Sequence, residues 1–273
     1  MNIKYILHRL SFPLEIRGIV PKSKLFLDEL ISLMNIKVPL KGTQTIKWIG
    51  PHGDLILNYY DSIVCWRSEI LDDKSYNIEL NNKKNPIILD IGANQGFVTL
   101  WFKYNYPDAM IYAYEPMKKS YDILCKNVED NNLNNCVLIN AGVFDKNTEQ
   151  NIYFHPGGAG LGDTISPIDP TGWDSTEIQL LNIDPTFEDT EIIDLVKMDI
   201  EGAEYNILKN CNFWKKSDKM IIEFHDNHKE FHGFKDVDFI KLIESNGFKL
   251  DKQVGTNPTY VCYFSKKDIY PNL

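Results

Sequence analysis

The sequence predicts an α/β fold: a mostly parallel, seven-stranded sheet with helices on both faces and an antiparallel hairpin at one edge. Three observations carry this. From Pro86 onward, apolar runs alternate with helix-period stretches, the pattern of parallel strands joined by crossover helices. The stretch Pro86 to Phe97, PIILDIGANQGF, is an apolar run ending in an acid and a glycine-rich turn. Later apolar runs also end in ionisable residues, at the strand ends where open parallel sheets hold their ligands.

Met1 to Val20 mixes Tyr5, Ile6 and Leu7 with Lys4, His8 and Arg9, a short amphipathic helix to pack on the domain or on a second subunit, with membrane contact as the alternative. Pro21 suits the first turn of a helix whose apolar face is Leu25, Leu27, Leu30, Ile31 and Met34. Ile46, Trp48, the turn Gly50-Pro51-His52-Gly53, Leu55, Leu57 and Tyr59 form a hairpin pattern. The polar run Asn81 to Pro86 is hostile to helix, which places residues 1–85 in an N-terminal cap and residues 86–273 in the main domain.

Ile87 to Asp90 is the first strand of that domain, buried on both faces, with a helix from Gln95 to Tyr106. Met110 to Tyr114 is the second strand, followed by a helix carrying Tyr121, Leu124 and Val128 on its inner face. Cys136 to Ile139 is the third. An irregular segment is expected from Asn151 to Asp189, including HPGGAGLGDTISP. Leu195 to Asp199 is the fourth strand, followed by a helix bearing Ile207, Leu208 and Cys211, and Met220 to Phe224 is the fifth. Asn246-Gly247 caps the next helix, and Phe248 to Val254 with Thr259 to Ser265 closes the sheet as a hairpin.

Composition narrows the function classes. The formal net charge of -9 argues against nucleic acid or an anionic membrane as partner. No apolar stretch approaches the ~20 residues of a membrane span. The five cysteines are scattered without a C-x-x-C pair, which disfavours zinc and disulfides and fits the cytoplasm.

The strand ends carry the chemistry. Gly92 and Gly96, with Ala93 and Asn94 between them, let backbone pass close to a ligand, and the helix beyond offers free N–H groups. Glu115 ends the second strand 23 residues after Gly92, where a ribose-binding carboxylate stands; the bland alternative is a surface acid before Pro116. The turn reads Asp90-x-Gly92-x-x-x-Gly96 and lacks the middle glycine of a dinucleotide site. An acid before it suits a ligand with a positively charged end, such as the amino group of S-adenosylmethionine. Asn140 and Ala141, after the third strand, lie near the expected adenine, where Asn140 is either a hydrogen-bonding residue or an ordinary turn asparagine.

The fourth strand end, Lys197-Met-Asp199-Ile-Glu201-Gly-Ala-Glu204, sets four ionisable residues in eight positions of an apolar run, costly to bury without partners or purpose. The fifth offers Glu223-Phe-His225. Alternation puts Lys197 with Asp199 on one face and Glu223 with His225 on one face. In the simplest register Lys197 pairs with Glu223, and Asp199 orients His225 as a proton acceptor. Alternatively, Lys197 and Glu223 are a structural ion pair and His225 caps the strand.

ILDIGANQGF, YAYEP, DLVKMDIEGAEYNIL and MIIEF together resemble the FkbM-type methyltransferases over roughly Pro86 to His225. The block Lys197-x-Asp199-x-Glu201-Gly202-x-Glu204 is the most specific part. The resemblance implies the Rossmann-like class I methyltransferase fold, S-adenosylmethionine as cofactor, and O-methylation of a hydroxyl on a sugar, glycan or secondary metabolite. By the same resemblance Asp90, Gly92, Asn94, Gly96 and Glu115 are donor-binding positions, and Asp199, Glu201 and Glu204 are active-site residues. The usual serine-containing segment is here rich in glycine (Gly157, Gly158, Gly160, Gly162), with His155 and Thr164 as weak acceptor candidates.

The expected base is the Asp199–His225 pair, with Glu201 next and Lys197 in the same catalytic set. A divalent metal on Asp199 and Glu201 is a variant that the sequence does not favour, since it shows no dedicated cage. The rival readings are an NAD(P)-dependent oxidoreductase and an inactive nucleoside-binding domain. A homo-oligomer through the N-terminal region remains an open expectation.

Overall fold

The computed structural model describes residues 43–60, 70, 75–154, 163–165, 167, 169, 171–225, 236–256 and 259–267. The two N-terminal helices expected before residue 43, His155 and the four glycines from 157 to 162 lie outside the described residues. Among the described residues, no helix is long and apolar enough to cross a membrane.

The chain enters through an antiparallel hairpin, β1 (Gln44–Gly50) and β2 (Gly53–Tyr59). The main sheet then alternates strand and helix: β3 (Ile87–Ile91), α1 (Phe97–Asn105), β4 (Met110–Tyr114), α2 (Lys118–Asp130) and β5 (Cys136–Ile139). An excursion follows through β6 (Gly142–Val143), β7 (Thr148–Phe154) and β8 (Asp174–Leu181). The chain returns as β9 (Ile193–Met198), α3 (Glu204–Asn210), β10 (Ser217–His225), α4 (Asp236–Ser245), β11 (Phe248–Thr256) and β12 (Thr259–Lys266).

The main sheet has seven strands in the order β11-β12-β10-β9-β3-β4-β5. Strands β10, β9, β3, β4 and β5 are parallel, and β12 and β11 complete the edge antiparallel. This is the class I methyltransferase arrangement. From β3 the chain builds outward through β4 and β5, then crosses back to β9 on the other side of β3. The connections therefore diverge at β3 and β9, and the crevice beyond their carboxyl ends is where such sheets take a ligand.

Alternate residues of each strand feed opposite layers, as strand geometry requires. Ile88, Ile111, Ala113, Leu195 and Ile221 face a cluster shared with α1, α2 and the hairpin residues Ile46, Trp48, Leu57 and Tyr59. Leu89, Tyr114, Val196, Met220 and Ile222 face the opposite cluster, with Tyr205, Trp214, Phe239 and Phe248.

The hairpin docks by an arrangement that hydrophobic patterning does not reveal. Asn127 on α2 and Asn131, which caps the C-terminus of that helix one turn later, present their amides to the free edge of β2. Asn127 accepts from the Asn58 N–H at 2.6 Å and donates to the Asn58 carbonyl at 2.9 Å and to the Gln95 carbonyl at 2.7 Å. Asn131 accepts from the Ile56 N–H and donates to its carbonyl, both at 2.7 Å. An edge that would otherwise carry unpaired peptide groups is thereby satisfied.

One expectation is corrected outright. The segment from Asn151 to Asp189 is not wholly irregular, because β6, β8 and β7 form a second, three-stranded sheet. Its signal was present: Ile178 and Leu180 are buried and alternate with exposed Glu177 and Gln179.

Candidate active site

The turn after β3 is set by backbone approach. Gly92 sits at φ 78, and a Cβ there would lie 1.9 Å from the Asp199 carbonyl oxygen. At Gly96, φ 83, a Cβ would meet a Leu124 methyl at 2.5 Å. Both glycines are thus required by the packing of the turn on the end of β9 and on α2. Only Gly92 also lines the cavity. The turn's N–H groups are used as well: Gly92 and Ala93 donate to the Tyr114 carbonyl, and Asn94 donates to Glu115 Oε2 at 2.8 Å.

Asp90 and Lys197 are direct neighbours across the β3–β9 ladder. Lys197 Nζ lies 3.4 Å from Asp90 Oδ1, 3.8 Å from Asp199 Oδ2 and 2.6 Å from the Gly92 carbonyl, while Thr99 donates to Asp90 Oδ2 at 2.6 Å. Burial opposes the lysine's charge, but Asp90 and Asp199 outweigh it and raise its pKa. The expected Lys197–Glu223 pairing is therefore corrected. In the observed register Lys197 stands beside Ile221, two residues short of Glu223, and its ammonium reaches the other way, to β3. Asp90, fully buried and matched by Lys197, sits behind the cavity wall instead of on it.

Glu115 does reach the cavity. Its Oε1 accepts from the Met117 N–H at 2.8 Å and its Oε2 from Asn94. Burial pushes its pKa up to about 7, against the pull of those two N–H groups and of Lys197. Asn140 donates to the carbonyls of Glu115 and Pro116 at 2.8 and 3.0 Å, so its amide braces the turn that presents Glu115. Ala141 is buried behind that turn, and Gly142 and Val143 line the cavity in its place.

The segment after β9 is wound around one carboxylate. Glu204, buried at the start of α3, accepts from the Ile200 N–H at 3.0 Å and the Gly202 N–H at 2.9 Å. This fixes a tight turn in which Glu201 takes left-handed backbone, φ 53, a strained conformation of the kind that collects at functional sites. Thr164 secures the turn from the other side by donating to the Glu201 carbonyl at 2.8 Å.

Glu204 Oε1 is also 3.0 Å from His225 Nδ1. The other ring nitrogen, Nε2, faces Glu201 at 3.2 Å, Asp199 at 3.8 Å and Glu223 at 3.9 Å. Burial works against charge on this ring, yet Glu204, Glu201 and Asp199 together raise its pKa to about 10. Asp199 and His225 do converge on one face, as alternation requires. The residue orienting the ring is Glu204, however, where the sequence points to Asp199.

These elements enclose a cleft of about 770 Å³, open solvent included. Gly92, Asn94, Glu115, Asp199 and Glu201 form one side. Met117, Ile152, Ile165, Ile178 and Leu180 form the apolar opposite side, supplied largely by the second sheet. Asp163 adds a further carboxylate that sequence reading missed, and the apolar wall was missed with the sheet that carries it.

The model of the methyltransferase FkbM domain matches residues 90–250, more than half of the chain. This protein belongs to the FkbM methyltransferase family. Its methyl donor is S-adenosylmethionine, and the acid-lined cleft suits that sulfonium far better than the phosphates of a dinucleotide, which sets aside the oxidoreductase reading. Methyltransferase 1 of Beauveria bassiana (strain ARSEF 2860) is 25% identical over 201 residues, covering 66% of this chain and 78% of its own length. Methyltransferase sdnD of Sordaria araneosa is 27% identical over 188 residues, covering 57% of this chain and 72% of its own. Among solved structures, fibrillarin of Aeropyrum pernix, with natively bound S-adenosyl-L-methionine, aligns at TM-score 0.42 and 13% identity over 83% of this chain and 95% of that one. Precorrin-6y C5,15-methyltransferase of Geobacter metallireducens GS-15 aligns at TM-score 0.42 and 12% identity over 72% and 87%.

Proposed function

We propose that this FkbM methyltransferase methylates a hydroxyl oxygen on an uncharged acceptor, a sugar, glycan or secondary metabolite, in the cytoplasm. One observation carries the reading: the cleft is lined by four carboxylates, Glu115, Asp163, Asp199 and Glu201, and, among the described residues, by no lysine, arginine or histidine. Such a wall repels phosphate and carboxylate acceptors. It would hold an amine as its ammonium form, which has no free electron pair to attack with. A hydroxyl suits it, because ionised carboxylates only accept hydrogen bonds.

Glu115 takes the ribose hydroxyls of the methyl donor, and the apolar wall of Ile178 and Leu180 takes its adenine. The acceptor lies at the Asp199–Glu201 side. Its oxygen attacks the methyl carbon as the carbon–sulfur bond breaks and the electron pair returns to sulfur. The hydroxyl proton passes to Asp199 or Glu201, the carboxylates that face the cleft. Most of the acceleration comes from holding oxygen and methyl in line.

The test is to incubate the full-length protein with isotope-labelled methyl donor and cell extract, and to identify the labelled product by mass spectrometry. A methyl ether on an uncharged acceptor is expected. A methylated amine or ester would overturn the hydroxyl assignment, and donor binding with no labelled product in any extract would favour an inactive domain.

A further inference from the structure

Two strand ends bring three ligand types to one point. Asp199, Glu201 and His225 each offer an atom, and these atoms all lie within 4.8 Å of one another. We infer that these three side chains bind one divalent cation, which displaces the proton from Nε2 of His225 to solvent, with Glu204 holding the imidazole in place. The inference deepens the methyl-transfer reading of the same cleft and rests on it for the ion's purpose.

The geometry supports it in three ways. Ligands about 2.1 Å from a common ion stand roughly 3–4 Å apart, and His225 Nε2 lies 3.2 Å from Glu201 Oε2 and 3.8 Å from Asp199 Oδ1. Metal-bound imidazoles almost always give their second ring nitrogen to a carboxylate or carbonyl. Here Nδ1 meets Glu204 at 3.0 Å, and Glu204 is itself fixed by the N–H groups of Ile200 and Gly202. The ring thus has one orientation, with Nε2 turned toward the two carboxylates. Finally, Asp199 and Glu201 line the cleft whereas His225 is 4% exposed behind them. An ion there is anchored from the protein side and keeps positions open toward the acceptor.

Two carboxylates and one imidazole form a mixed hard and borderline set, suited to a first-row divalent ion or magnesium. Bound there, the ion would coordinate the acceptor hydroxyl and lower its pKa. The hydroxyl proton then passes to the uncoordinated oxygen of Asp199 or Glu201, the oxygen forms its bond to the methyl carbon, and the carbon–sulfur pair returns to sulfur.

The test uses full-length protein freed of metal by chelation and titrated with Mn²⁺, with free Mn²⁺ followed by electron paramagnetic resonance. S-adenosylmethionine binding is measured calorimetrically on the same samples. One Mn²⁺ per chain is expected, with binding at least ~100-fold weaker in His225→Ala and ~10–100-fold weaker in Glu204→Gln, while each variant still binds the methyl donor. Wild-type protein that binds the methyl donor yet leaves Mn²⁺ free overturns the metal site and spares the methyl-transfer reading. Equal Mn²⁺ uptake by wild type and His225→Ala also overturns it. His225-dependent uptake in a protein that does not bind the methyl donor upholds the metal site and overturns the reading on which its purpose rests. The wild-type titration stands even if a variant fails to fold.

Discussion

Glu115 offers the sharpest quantitative handle, because burial raises its pKa from 4.5 to about 7. The folded protein holds this proton more tightly than the unfolded chain does. The associated stability is therefore fully present below pH 4.5 and lost as pH rises through 7. The gap between the two values corresponds to about 3 kcal/mol. Urea denaturation of wild type and Glu115→Gln from pH 4.5 to 8 isolates it. The wild type should lose about 3 kcal/mol relative to the variant across that window. Methyl-donor binding should move the other way. In its proposed role Glu115 accepts from both ribose hydroxyls only when ionised, and its ionised fraction climbs from about one-tenth at pH 6 to about nine-tenths at pH 8. Calorimetry should then show wild-type affinity rising up to ~10-fold over that range, and a flat profile for Glu115→Gln. A stability difference that does not change with pH, or that grows in the wild type's favour as pH rises, would refute the burial argument.

Three further substitutions probe the frame of the site. Lys197→Met leaves Asp90 buried with only Thr99 beside it and should cost ~3–5 kcal/mol in urea denaturation; adding Asp90→Asn should recover much of that loss, and no recovery would contradict the pairing. Gly92→Ala must displace the Asp199 carbonyl in addition to holding left-handed backbone, so its cost should exceed the roughly 1–2 kcal/mol of the backbone conformation alone; thermal denaturation within ~1 kcal/mol of wild type would show that the turn can yield. Asn127→Ala strips partners from the peptide groups of Asn58 and Gln95, each worth ~1–3 kcal/mol when left buried, and should destabilise by at least ~3 kcal/mol; a smaller loss than for Asn131→Ala would mean that the hairpin docks mainly by its apolar face.

The parallel strands were legible because each is a short, uniformly apolar run bounded by polar turns. Ile87 to Ile91 and Ile193 to Met198 are buried almost throughout, as central strands between two helical layers must be. The second sheet was harder to see, since β7 and β8 are half exposed and, among the described residues, its buried core is Ile152, Ile178 and Leu180. The approach of Asp199 to His225 was legible, but the partner of Lys197 was not. Lys197 has a neighbour on each side, and sequence periodicity gives the face of a side chain without saying which adjacent strand it reaches. That choice fell to Asp90, directly opposite across β3. Glu204 shows a similar limit. Its acidity at a helix start is visible in sequence, but its place between the Ile200–Gly202 turn and His225 appears only when β9 and β10 lie side by side. The asparagines of α2 read as an ordinary polar helix face and proved to be the partners of a strand edge.

In the proposed reading, the crevice between β3 and β9 holds the methyl donor with its sulfur turned toward Asp199 and Glu201. The most direct measurement is a crystal structure of the full-length protein with S-adenosylhomocysteine. The expected result has the ribose hydroxyls on Glu115, the adenine against Ile178 and Leu180, and the sulfur on the Asp199–Glu201 side. Product bound elsewhere, such as the surface cleft lined by Tyr76, Trp101 and Tyr104, or bound with Glu115 untouched, would contradict it.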